Sequence, residues 1–141
     1  MSSVYSNVES PRAIRLQERK TIVLVDDSED SVWGLAELLK CDGHEVLTAT
    51  NAMDGLKLII KHHANVAIID LGMPAMDGYT MSQAVRAAFG KDLVLIAHSG
   101  YGGIETRHKC KEAGFDYHLL KPIAVDELGP CLKGQPTNAK L

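Results

Sequence analysis

The stretch Thr21-Ile-Val-Leu-Val-Asp-Asp27 decides how the rest of the chain is read. Its aliphatic and β-branched residues run on without a polar break and close on two carboxylates, the pattern of a strand covered on both faces. Comparable runs recur at Glu45 to Thr48, Val66 to Leu71, Leu93 to Ala97 and Tyr117 to Leu120. Between them the apolar spacing changes from continuous to helical. Val32, Leu35, Ala36 and Leu39 fall at i, i+3, i+4 and i+7; Ala52, Leu56, Ile59 and Ile60 form a second stripe, and Met81, Ala84, Val85, Ala88 and Phe89 a third. A fourth helix near Ile104 to Ala113 has a much thinner apolar face. Asn51 is placed as an N-cap, and Gly43 and Gly90 as helix-ending residues. Alternating short strands and helices predict a single α/β domain, a five-stranded doubly wound parallel sheet with its functional site at the carboxyl ends of the strands.

The bulk properties narrow the function. At 141 residues the chain has room for one domain and one core. Residues 1–20 read as a polar tail or linker, 21–133 as the domain and 134–141 as a C-terminal tail. Gly129 and Pro130 interrupt the last helix, which is expected to be short or to start late. The formal net charge of -3 argues against a basic face that tracks nucleic acid, and no apolar run approaches a membrane span. With no signal-peptide core at the start, a cytoplasmic location is expected. Cys41, Cys110 and Cys131 are odd in number and widely spaced, which fits reduced thiols.

Chemistry concentrates at the strand ends. Asp26 and Asp27 close the first strand and Asp70 lies near the end of the third, so a doubly wound sheet brings three carboxylates to one rim. Such a cluster suits a hard cation, which offsets the mutual repulsion and bridges an incoming phosphoryl oxygen. A carboxylate is also a nucleophile able to hold phosphate as an acyl phosphate.

Five segments then carry a family resemblance: Ile22-Val-Leu-Val-Asp-Asp27, Asp70-Leu-Gly-Met-Pro-Ala-Met-Asp-Gly78, Leu95-Ile-Ala-His-Ser-Gly-Tyr-Gly102, Ala113-Gly-Phe-Asp116 and Leu120-Lys-Pro122. In order and spacing the chain resembles the receiver domains of two-component response regulators, whether single-domain or part of a hybrid histidine kinase. That resemblance implies a flavodoxin-like receiver fold, with Asp70 as phosphoacceptor. Mg²⁺, or another divalent cation such as Mn²⁺, would be held by Asp26, Asp27, Asp70 and the Gly72 carbonyl, Asp26 partly through water. Lys121 would pair with the phosphoryl group, Ser99 would donate a hydrogen bond to it, and Pro122 would be cis. Ser99 and His118 would form the switch, His118 standing where the family commonly has Tyr or Phe. Gly72 and Tyr101 would flank the path of the hydrolytic water, Tyr101 as a gate.

The implied partners are a histidine kinase or histidine phosphotransfer protein and a downstream protein. The only catalysis expected is of the domain's own phosphorylation and dephosphorylation. A phosphate-independent pseudo-receiver is the alternative. A small phosphatase lacks its cap segment, and a flavin binder is disfavoured by the acidic turn Asp26-Asp-Ser-Glu-Asp30. His62, His63 and His98 read as structural or solvated.

Overall fold

Residues 18–74 and 76–141 are described by the computed structural model. The expected N-terminal tail therefore lies outside the described residues apart from positions 18–20. The strands are β1 (Thr21–Val25), β2 (Glu45–Ala49), β3 (Val66–Asp70), β4 (Val94–Ser99) and β5 (Tyr117–Leu120). The helices are α1 (Glu29–Cys41), α2 (Ala52–His62), α3 (Gly78–Phe89), α4 (Ile104–Ala113) and α5 (Val125–Leu132). All strand pairs in the sheet are parallel, in the order β2-β1-β3-β4-β5. The direction of winding reverses between β1 and β3, which opens a crevice beyond their carboxyl ends.

Alternation along each strand feeds two cores. Val23, Val25, Ile69, Met81, Val85 and Cys110 pack on one face, and Ile22, Leu24, Ile68, Val32, Leu39 and Leu128 on the other. Every residue of the central strand β3 is buried, so its run carries no polar alternation. The cap expected at Asn51 is present, its side chain accepting from Asp54 N–H. As its composition implied, α4 buries only Cys110 and Ala113 and leaves Ile104 exposed.

Three expectations are revised. β4 begins one residue later than the apolar run and continues to Ser99, because His98 pairs in register with Asp70 and its carbonyl accepts from Leu71 N–H at 3.1 Å. α5 is short, but it starts at Val125 and runs through Gly129 and Pro130. Pro130 lies in its final turn, where the missing N–H removes one bond without stopping a helix already ending. Residues 134–141, read as a tail, return along β5: His118 N–H donates to Ala139 O and Leu141 N–H to Asp116 O, each at 3.0 Å, and Tyr117 and Lys140 form an antiparallel bridge. β5 is an edge strand, and this segment satisfies main-chain groups that would otherwise face solvent.

Candidate functional site

The sheet delivers its carboxylates to the crevice by different routes. Asp26 follows β1 directly and is 1% exposed, Asp70 is the last residue of β3, and Asp27, one residue further on, is open to solvent. Each offers one carboxylate oxygen, and the three oxygens lie within 4.8 Å of one another. Hard oxygen donors at that spacing suit Mg²⁺ or Mn²⁺, which prefer carboxylates and water.

Local main-chain donors hold the buried acids in place. Ser28 N–H donates to Asp26 Oδ1 at 2.9 Å, and Gly72 N–H donates to Asp70 Oδ1 at 3.1 Å. From the end of β5, Lys121 Nζ reaches 3.0 Å from Asp26 Oδ2 and 3.3 Å from Asp70 Oδ2. The Lys121-Pro122 bond is cis. The turn after β3 must pass close to the site, and Gly78 makes that passage fit. A Cβ there would press on the Asp70 carbonyl oxygen and fall 2.9 Å from Leu71 Cα.

The charges influence one another. Burial works to raise the Asp26 carboxyl, but the Ser28 N–H, Lys121 and His98 outweigh it and hold the group below its ordinary range. Asp27 is pushed up, by desolvation first and then by the charges of Asp70 and Asp26. Burial alone would lower Lys121, yet Asp26 and Asp70 overcome that and raise it. The pocket therefore carries more acid than one ammonium can neutralise, an arrangement that favours an added cation.

Ser99, at the end of β4, is buried; its hydroxyl donates to Tyr101 O and lies 2.9 Å from His118 Nε2. The His118 ring, expected to form the switch with Ser99, is thus turned inward and 6% exposed. Tyr101 is 55% exposed. Its phenol acts on Tyr79 of α3, which burial, then Cys110 and Tyr101, push up to about 12. One residue escaped the sequence reading: His98, taken as structural or solvated, is buried with Nε2 3.6 Å from Asp26 Oδ2.

Residues 22–133 match the family described as "Response regulator receiver domain". The chain is 31% identical over 115 residues to the sensor histidine kinase RcsC of Escherichia coli K12, covering 82% of this chain and 12% of that protein. It is 30% identical over 107 residues to the transcriptional regulatory protein PrrA of Mycobacterium tuberculosis, covering 76% and 46%. This chain thus spans less than half the length of these curated relatives. Among solved structures it is similar to chemotaxis protein CheY4 of Vibrio cholerae, with a TM-score of 0.77, 26% identity, and coverage of 84% of this chain and 99% of that one. A CheY-like receiver domain protein from Methanospirillum hungatei superposes with a TM-score of 0.75 at 27% identity, covering 82% and 92%. No described helix is long and apolar enough to cross a membrane. With most of its length matching that family model, its relatives regulators and kinases, and its fold that of receivers, the chain belongs to the response-regulator receiver domain family of two-component signal transduction.

Proposed function

We propose that this receiver accepts a phosphoryl group on Asp70 from the phosphohistidine of a histidine kinase or phosphotransfer protein and uses the change to alter a protein-binding surface. The observation that carries the reading is Lys121 Nζ lying between Asp26 and Asp70, 3.0 and 3.3 Å from their oxygens, beside a third carboxylate. An oxygen of Asp70 forms the new bond to phosphorus as the donor's N–P bond breaks, and the electron pair leaves on the imidazole nitrogen. Asp26, Asp27, Asp70 and the Gly72 carbonyl would hold a divalent cation. When bound, Mg²⁺ or Mn²⁺ supplies the positive charge that lets a phosphoryl group enter an acidic pocket.

Lys121 moves from the carboxylates to the phosphoryl oxygens, and Ser99 turns its hydroxyl toward them. Placed charges and donors of this kind are what phosphoryl transfer needs, since charge spreads over the equatorial oxygens. Gly72 and Tyr101 border the approach of the hydrolytic water and set the lifetime of the acyl phosphate. The domain works in the cytoplasm and passes its state to a downstream protein, with no direct contact to nucleic acid or membrane.

Incubation with acetyl phosphate and Mg²⁺, followed by intact-mass measurement, tests the assignment. A single phosphoryl adduct is expected, absent without Mg²⁺ and absent in Asp70→Asn. An unmodified mass would favour a module that works without phosphate, and an adduct surviving in Asp70→Asn would move the acceptor elsewhere.

A further inference from the structure

His118 belongs to two systems at once. Its ring faces Ser99, with Nε2 2.9 Å from the hydroxyl oxygen, while its main-chain N–H donates to Ala139 O at 3.0 Å. The segment on the second side is firmly seated. Tyr117 O–H donates to Gln135 O at 2.7 Å, Arg107 Nη2 donates to Lys140 O at 2.8 Å, and Lys140 Nζ lies 4.9 Å above the Tyr117 ring. Ala139 and Leu141 add apolar contacts, one to each core.

We propose that residues 135–141 are a cis-acting cover on the outer edge of β5, seated while Ser99 and His118 are paired and released when Ser99 turns to the phosphoryl group. The inference rests on the reading of Asp70 as phosphoacceptor. Ser99 has one hydroxyl proton, given at present to Tyr101 O. Turning it toward a phosphoryl oxygen pulls the hydroxyl away from His118 Nε2, leaving the Tyr101 main chain as the ring's remaining polar contact, and a buried imidazole nitrogen that loses its partner is unfavourable. The ring must then move. Open volume adjoins it on the side of the cover, a cavity of about 240 Å³ whose lining includes Gly102, Arg107, His118, Asn138 and Ala139. Two of those residues belong to the cover, so a ring entering the cavity presses on it.

Release changes the chemistry of the edge. With residues 139–141 displaced, β5 presents the His118 N–H and the Asp116 carbonyl to solvent, the alternating main-chain groups that an extended partner segment takes up. α4 beside it buries few side chains and is the helix able to shift with least loss. Because coupling between two sites is reciprocal, loosening the cover must also tighten binding of a phosphoryl mimic.

Hydrogen exchange on the full chain, with and without beryllofluoride plus Mg²⁺, tests this directly. We expect slower exchange in the Asp70–Gly78 turn together with faster exchange, by about tenfold, at His118 and Leu141. The pair of substitutions Arg107→Gln and Tyr117→Phe removes two anchors of the cover and touches none of the phosphoryl site. It should tighten beryllofluoride binding by about fivefold. Protection of the turn with unchanged exchange at His118 and Leu141, or unchanged affinity in a folded double variant, would overturn the cover and leave the phosphoacceptor reading standing. No change at the turn in the wild-type protein would overturn both.

Discussion

His98 Nε2 and Asp26 Oδ2 face each other at 3.6 Å, both buried and neither in a hydrogen bond with another described residue. Lys121 approaches the Asp26 oxygen at 3.0 Å as an ion contact without hydrogen-bond alignment. A separation of 3.6 Å is too long for a hydrogen bond between the imidazole and the carboxylate. Burial first, and then the charge of Lys121, holds the His98 imidazole below its ordinary value, opposed by Asp26, Asp70 and a hydrogen bond with the Val25 main chain. Nε2 itself stays buried without a partner among the described residues, which costs desolvation.

His98→Leu exchanges a nitrogen without a partner for an apolar group of similar size but also gives up the ring's contact with the Val25 main chain, so the two effects offset and stability should stay within about 1 kcal/mol of wild type. Urea unfolding monitored by circular dichroism measures this. A loss above about 2 kcal/mol would show that Nε2 and the Asp26 carboxylate close to a hydrogen bond in solution.

The acidic rim predicts a stabilising loss of charge. Asp27 is raised by desolvation and by its two acidic neighbours, so the folded state binds its proton more tightly than the unfolded chain does. Stability at this residue therefore falls as pH rises from the unfolded value through the raised one, and at pH 7 the carboxylate is a liability. In EDTA, Asp27→Asn should melt slightly above wild type, the gain kept small by solvent screening at this exposed position. Added Mg²⁺ should raise the wild-type melting temperature and leave Asp27→Asn nearly unmoved, since binding to the folded state alone stabilises by mass action. Equal Mg²⁺ responses in the two proteins would remove Asp27 from the ligand set.

Much of this site was legible because the physics that buries a parallel strand also marks its end. Continuous runs such as Val66–Asp70 announce themselves, and Asp26, Asp27, Asp70 and Lys121 follow the apolar residues directly. His98 was not legible, because a strand covered on both faces has no polar alternation to say which way a given side chain points. The fold of residues 134–141 was hidden for another reason: the partners on β5 are mostly main-chain groups, which leave no trace in side-chain identity. Arg86 shows a third limit. Its guanidinium donates to Gly114 O, Gly90 O and Leu93 O and pairs with Asp116 at 2.9 Å, joining α3 to the loop before β4 and the loop between α4 and β5, yet these partners are brought together only by the completed fold.

Gly78 is where fold and site constrain each other most tightly. The atoms a new Cβ would meet are main chain, the Asp70 carbonyl and Leu71 Cα, and cannot rotate away as a side-chain end can. Gly78→Ala should therefore destabilise by about 3 kcal/mol, an overpacking loss of the kind seen when backbone must shift. Because the displaced carbonyl is that of Asp70 itself, the rate of phosphorylation by acetyl phosphate should fall with it. A variant of wild-type stability would mean that the turn after β3 relaxes freely.

The last prediction concerns pH and the switch pair. Burial first, and then the positive charge of Arg107, holds the His118 imidazole below its ordinary value, with a hydrogen bond to Tyr101 backbone opposing them. Folded protein thus keeps His118 neutral over a range in which the unfolded chain protonates it. Between that lowered value and the unfolded value near 6.5, the unfolded state binds more protons, so stability rises with pH and is lost as pH falls below about 6.5. His44 and His98 are lowered by burial as well and add slope of the same sign. Replacing His118 by Phe removes one of the three contributions while keeping an aromatic ring against Ser99, and should flatten the decline. Urea midpoints at pH 7.5 and pH 5.5 for the two proteins decide it. Parallel declines would mean that His118 titrates alike folded and unfolded, and that its ring spends its time in water and not against the Ser99 hydroxyl.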